Sequence, residues 1–165
     1  MDSAIWGLIG TLVGALSSIG TTWLASRSSH HLQTVTRSHE LAERASSFQR
    51  QTLLDLQEAL HDALRLTTQA HIQDRDSHLG GTTWGSNMLN EPLNEDLRLA
   101  QRRVAILNER ISDENLRTKV RELMGIAHNA LLAKSPIEAR ANLQQCYTAG
   151  AATLETVGTV LRSHY

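Results

Sequence analysis

Charge is missing from the first part of this chain: no Asp, Glu, Lys or Arg occurs from Ser3 to Ser26, and no Lys or Arg precedes Arg27. Cysteine is nearly missing too. The lone Cys146 excludes an intrachain disulfide framework and fits a reducing compartment. Proline occurs only at Pro92 and Pro136 and phenylalanine only at Phe48, so the chain is short of both helix breakers and the aromatic residues that strands favour. Net charge is also close to nil, with 16 basic against 17 acidic residues in 165. A balance of that kind provides no global field for nucleic acid or for an acidic substrate. What remains is Ala, Leu, Gln, Arg and Glu, a helix-forming composition that predicts an all-α protein.

At about 1.5 Å per residue, the uncharged run is long enough as a helix to cross a hydrocarbon core of about 30 Å. It predicts a transmembrane anchor over 1–26. A cleaved signal peptide would want a basic start, and this chain opens Met-Asp-Ser. Arg27, Arg37 and Arg44 follow the span, so the bias of basic residues toward the inner face predicts a single pass through the inner (plasma) membrane, with the N-terminus outside and the C-terminal bulk cytoplasmic. Trp6 and Trp23 lie about 25 Å apart on such a helix, and with Arg27 they are the expected interfacial anchors in membrane lipid.

Rotation by about 100° per residue sorts the run into two faces. Ile5, Leu8, Ile9, Leu12, Val13, Leu16, Ile19 and Trp23 fall on one, and Gly7, Gly10, Thr11, Gly14, Ser17, Ser18 and Thr21 on the other. Gly10 and Gly14 form a Gly-x-x-x-Gly step. Small residues let helix backbones approach closely in lipid, so this face predicts packing against another helix, in a homo-oligomer or a larger membrane complex. A hydroxyl-bearing small face also suits the lining of a water-filled pore.

From Ser26 to Ser77 there is neither Pro nor Gly, and apolar residues recur at three- and four-residue steps: Leu32, Val35, Ala42, Ala45, Phe48, Leu53, Leu56, Leu60, Ala63 and Leu66. This predicts that the transmembrane helix continues into a long amphipathic helix over 27–77. Glycines 80, 81 and 85, with Asn87, Asn90 and Pro92, then mark a loop over 78–92. Leu93, Leu97, Ala100, Val104, Leu107 and Ile111 make the stripe of the next helix. Ser112 reads as the N-cap of a third helix with Leu116, Val120, Leu123, Ala127 and Leu131 on its buried side, the short turn implying an antiparallel hairpin. Ser135, Pro136 and Glu138 form a capping box for the last, whose buried side reads as Leu143, Tyr147, Gly150, Leu154, Val157 and Leu161. The run from Cys146 to Leu161 approaches a second span in apolarity, but Glu155 and the threonines favour a packed helix. Residues 93–165 thus supply the three-helix remainder of an antiparallel bundle of about four helices.

In its Gly-rich helix from Ala4 to Leu24, followed by the hairpin Arg110-Ile111-Ser112-Asp113-Glu114-Asn115-Leu116-Arg117, the chain resembles a group of small bacterial membrane proteins. These pair one such helix with a cytoplasmic helical domain. The resemblance implies the layout and carries over no activity.

No pattern calls for a catalyst, a cofactor or a small-molecule substrate. Glu58 and His61 match the Glu-x-x-His step of di-iron bundles, but the chain has no second copy, and no metal site is expected. His71, Asp74 and His78 read as solvated groups beside a helix end, Arg102 and Arg103 as a solvated face, His128 as a boundary residue and Cys146 as a buried structural thiol. The loop residues Trp84, Asn87 and Met88 are the soluble candidates for a partner contact, with Trp84 folding back on the bundle as the alternative. A non-enzymatic scaffold or accessory subunit is the expected class, and an oligomeric pore or effector gated by the cytoplasmic domain the alternative.

Overall fold

The structure, a computed structural model, describes residues 36–86 and 88–165 in full and residues 2–35 only as backbone of the first helix. The small-residue face (Gly7, Gly10, Thr11, Gly14, Ser17, Ser18, Thr21), the anchors Trp6, Trp23 and Arg27, and the loop residue Asn87 therefore lie outside the described residues. Four helices follow one another: α1 Asp2–Leu79, α2 Glu91–Asn108, α3 Glu114–Leu131 and α4 Pro136–Arg162. The described residues contain no strand. The chain divides into two units, Met1–Ala45 and Ser46–Tyr165.

The described end of the first unit, residues 36–45, is exposed throughout, Arg44 pairing with Glu40 one turn away at 3.7 Å. Ala42 and Ala45 are exposed, and so is Phe48 at 53 % in the second unit, which corrects the reading of one buried stripe along the helix. Burial of α1 starts at Thr52 and Leu53. Just before that point Ser46, Gln49 and Arg50 already bond to the distant His164 carbonyl and to the α2–α3 turn, which sets the end of the bundle at this level.

The second unit is an up-down-up-down four-helix bundle. Glu58 of α1 meets Arg103 of α2 while Gln73 meets Asn90, so the two run antiparallel. Lys119 bonds Thr156 and Asn142 bonds the Asn129 carbonyl, giving the same sense to α3 and α4. Arg50 with His164, and Thr68 with Tyr147, close α4 against α1. One core cluster holds Leu53, Leu56 and Leu60 of α1, Leu97, Val104 and Leu107 of α2, Leu116, Val120 and Leu123 of α3, and Cys146 and Val157 of α4.

Each helix after α1 starts on a side-chain cap that satisfies an otherwise unpaired backbone N–H. Asn90 Oδ1 accepts from the Leu93 N–H at 3.0 Å and Asp113 Oδ1 from Leu116 at 2.7 Å. The cap of α3 is Asp113 and not Ser112. Ser112 is spent elsewhere, its N–H and hydroxyl both donating to Gln49 Oε1 at 3.1 and 3.2 Å. Half of the expected capping box of α4 is present: Ser135 Oγ accepts from Glu138 N–H at 3.3 Å, whereas Glu138 Oε2 accepts at 3.0 Å from the N–H of Lys134, the residue before the cap.

On α4 the buried residues are Ala139, Cys146, Gly150, Thr153 and Val157. This face is turned from the expected one. Tyr147 is 45 % exposed, its hydroxyl 2.9 Å from Thr68 Oγ1, while Leu143, Leu154 and Leu161 are only half-buried. The physical reason is the close approach of α1: a Cβ on Gly150 would lie 2.9 Å from Leu64 Cδ1 and 3.9 Å from Leu123 Cδ1. Only small side chains fit there, and the larger ones are displaced to the edges. Among the described residues no helix is long and apolar enough to cross a membrane. The Cys146–Leu161 run is a bundle helix.

Leu60 has no exposed surface and sits among all four helices. Replacing it with Ala is expected to cost about 2–5 kcal/mol through lost transfer energy and the cavity left behind, measured as a lower midpoint in chemical denaturation.

Candidate functional site

The end of the bundle formed by the α1 C-terminus, the 80–90 loop and the α3–α4 turn gathers His71, Asp74 and His78 near Trp84. Gly85, at a φ of +70°, turns the chain immediately after Trp84 in a conformation that favours glycine. The turn sends the indole inward. Trp84 is 9 % exposed, packs with Ala133 and Ala139, and donates its Nε1–H to the Ala133 carbonyl at 3.1 Å. It closes the bundle's own end and is not displayed as an anchor for a partner. Of the other loop residues, Met88 is 92 % exposed.

His71 and His78, two turns apart on α1, both meet the Trp84 ring, at centroid distances of 5.5 Å (tilted) and 5.9 Å (edge-on). His78 Nδ1 also lies 2.9 Å from the Thr82 carbonyl. Both histidines, with Asp74, were expected to be solvated; His78 is exposed, but His71 and Asp74 are half-buried, and His71 Nδ1 and Asp74 Oδ1 are enclosed without a hydrogen-bond partner. The cause at His71 is tertiary, since the loop that carries Trp84 brings the indole against its ring. Asp74 also lines a cavity of about 350 Å³ walled by Leu89, Leu97 and Leu131.

Burial is the main cause holding the His71 imidazole below its ordinary pKa, followed by Arg75; Asp74 pulls it upward and Arg140 of α4 adds a smaller push down. Burial likewise raises the Asp74 carboxyl, with His71 opposing. The Cys146 thiol, enclosed in the core, is raised by burial as well, the opposite of what a nucleophile needs. Glu58 is paired with Arg103 at 2.8 Å, and Arg102, Arg103 and His61 are all exposed. Among the described residues no group of three or more His, Cys, Asp or Glu side chains is placed to hold a metal ion.

A second feature went unread in the sequence. Asn108, on the apolar stripe between Val104 and Ile111, is 4 % exposed, and its Oδ1 has no partner. Its spacing was the available signal, since a residue four after Val104 and three before Ile111 faces the core. His128, exposed as a boundary residue should be, lies on the wall of the cleft beside Asn108.

No family model, no curated protein and no solved structure matches this chain.

The shift at His71 fixes a pH dependence. The unfolded chain protonates this imidazole near pH 6.5 and the folded chain only at lower pH, so its contribution to stability is complete above pH 6.5 and is lost as pH falls through the folded value. Asp74 acts in the other sense: its contribution is present below the unfolded value of 3.8 and is lost as pH rises through the raised folded value. Thermal melting is therefore expected to show a loss of stability just below pH 6.5. The variant His71→Phe, which keeps a ring beside Trp84, should lack that loss.

Proposed function

We propose that the protein is a membrane-anchored helical scaffold or accessory subunit, without enzymatic activity. It associates through the small-residue face of an N-terminal span and presents its bundle to a partner in the cytoplasm. The observation that carries this is the uncharged, two-faced run from Ser3 to Ser26, with Gly7, Gly10, Gly14 and Ser17 on one side and Leu8, Leu12, Leu16 and Ile19 on the other. A face of that kind gains nothing from lipid, which packs equally well on leucine; its advantage is close approach to another helix. The basic residues Arg27, Arg37 and Arg44 after the run support a plasma-membrane location with the bundle inside.

The bundle supports the scaffold role by its construction. Its surface carries ion pairs such as Arg98 with Glu95 and Arg121 with Glu114, and its thiol is buried, an arrangement suited to a soluble packing module. The exposed Met88 and the apolar residues Leu79, Leu132 and Ile137 lie on the elements that meet at the Trp84 end, the natural place for a docking contact. The partners are membrane lipid and either further copies of the chain or a larger membrane complex.

Replacing Gly10 and Gly14 together with Leu is expected to shift the purified, detergent-solubilised protein to a lower mass, or to detach a co-purifying membrane partner, while the thermal melt of the bundle is unchanged. A wild-type protein that is monomeric and co-purifies with nothing would remove the basis for the proposal. Leakage of ions from liposomes carrying the oligomer would instead favour the pore, with Thr11, Ser18 and Thr21 lining it.

A further inference from the structure

The two seams that α3 makes with its neighbours in sequence are not equal. α3 and α4 pack closely along their length, whereas α2 and α3 touch over much less and part to leave a cleft of about 370 Å³. That volume lies within the usual range of small-molecule sites, roughly 300–1,000 Å³. Val104 of α2 and Val120 and Met124 of α3 give the cleft its apolar lining, and the exposed Glu109 and Arg121, with Gln101 and His128, its polar lining. Asn108 lines the same cleft.

Asn108 is the informative residue. It is nine-tenths buried or more, it occupies a core position, and its side-chain oxygen meets no donor. Its carboxamide does not serve as a helix cap, because the turn after α2 is closed by backbone bonds, among them Ile111 N–H to the Asn108 carbonyl at 3.3 Å. Buried polar atoms are nearly always paired, and a leucine here would fill the site without that cost.

The chemistry of the walls defines what does fit. The lining carries one charge of each sign, and the Arg121 guanidinium is already engaged by Glu114 at 3.0 Å and Thr118 at 3.2 Å. No net charge selects an ion. The enclosed recognition group is a neutral amide, which pairs with a neutral donor. The apolar walls and the adaptable Met124 thioether suit a flat, apolar and preferably aromatic body.

We propose that the α2–α3 cleft is a binding site for a small neutral molecule that has a flat apolar body and an amide-like N–H donor received by Asn108. The site is independent of the membrane reading, and its occupancy stiffens the α2–α3 seam.

The test uses the full chain in mild detergent with ¹³C-methyl methionine, of which there are three: Met1, Met88 and Met124. Benzamide is titrated in parallel with N,N-dimethylbenzamide, which keeps the ring and carbonyl and lacks the N–H groups. The Met124 signal should shift saturably with benzamide and require about ten times more of the dimethyl compound, the loss expected for one buried hydrogen bond. In Asn108→Leu the two compounds should bind within about twofold of each other, and the melting temperature should rise by a few degrees as the unpaired group is removed. Ala105→Trp, at an exposed position on the cleft wall, should abolish the Met124 shift with both compounds without touching the core. The proposal is overturned if benzamide leaves Met124 unmoved, if the preference for benzamide persists in Asn108→Leu, or if Ala105→Trp binds as the wild type does.

Discussion

Burial of one stripe of α1 governs the second unit. Leu53, Leu56, Ala59, Leu60, Ala63, Leu66 and Ala70 lie at three- and four-residue steps and are covered almost completely. A stripe of this kind has no stability in water alone, because helix propensity is small beside the cost of leaving large apolar side chains wet. It needs partners on two sides. α2 and α4 both run antiparallel to α1 and flank it, and α3 closes the cluster through Leu116, Val120 and Leu123.

The ends of the bundle follow from a second constraint, that turn backbone must be hydrogen-bonded wherever water is kept away. Long side chains do this. At one end Gln49 spans the α2–α3 turn, donating to the Arg110 carbonyl at 2.9 Å while accepting from Ser112. There, too, Ser46 and Arg50 hold the His164 carbonyl, and the Arg50 guanidinium stacks 5.2 Å from the Tyr165 ring centre. At the other end Trp84 takes the Ala133 carbonyl of the α3–α4 turn. These ties fasten the turns and the closing helix; the middle of the α2–α3 seam has none, and that is where the cleft opens.

The helices and their inner faces were legible where one residue type met one requirement. Leu97, Ala100, Val104, Leu107 and Ile111 show a clean period and are buried, and Ser135 caps α4 by accepting from the Glu138 N–H. Reading failed where two residues competed or where a neighbour decided. Ser112 and Asp113 are equally good caps by type, and Gln49, distant in sequence, removed Ser112 from the choice. Tyr147 and Cys146 sit side by side, and the close passage of Leu64 over Gly150 selected the smaller for the interior. Phe48 has the spacing of a core residue but lies at the level where the bundle ends. Trp84 illustrates the same limit for the candidate site, since whether an indole in a glycine-rich loop turns inward depends on the Ala133 carbonyl being there to receive it.

Local chemistry thus sufficed for the all-helical class, the helix start at Ser135, the loop between α1 and α2, and the two-faced character of the uncharged run, because each rests on spacing and residue type within a few turns of chain. The register of α4, the cover over His71, and the enclosure of Asn108 arose only on packing. Each depends on which distant groups arrive alongside, and that is set by the fit of four stripes around one core rather than by any stretch of sequence.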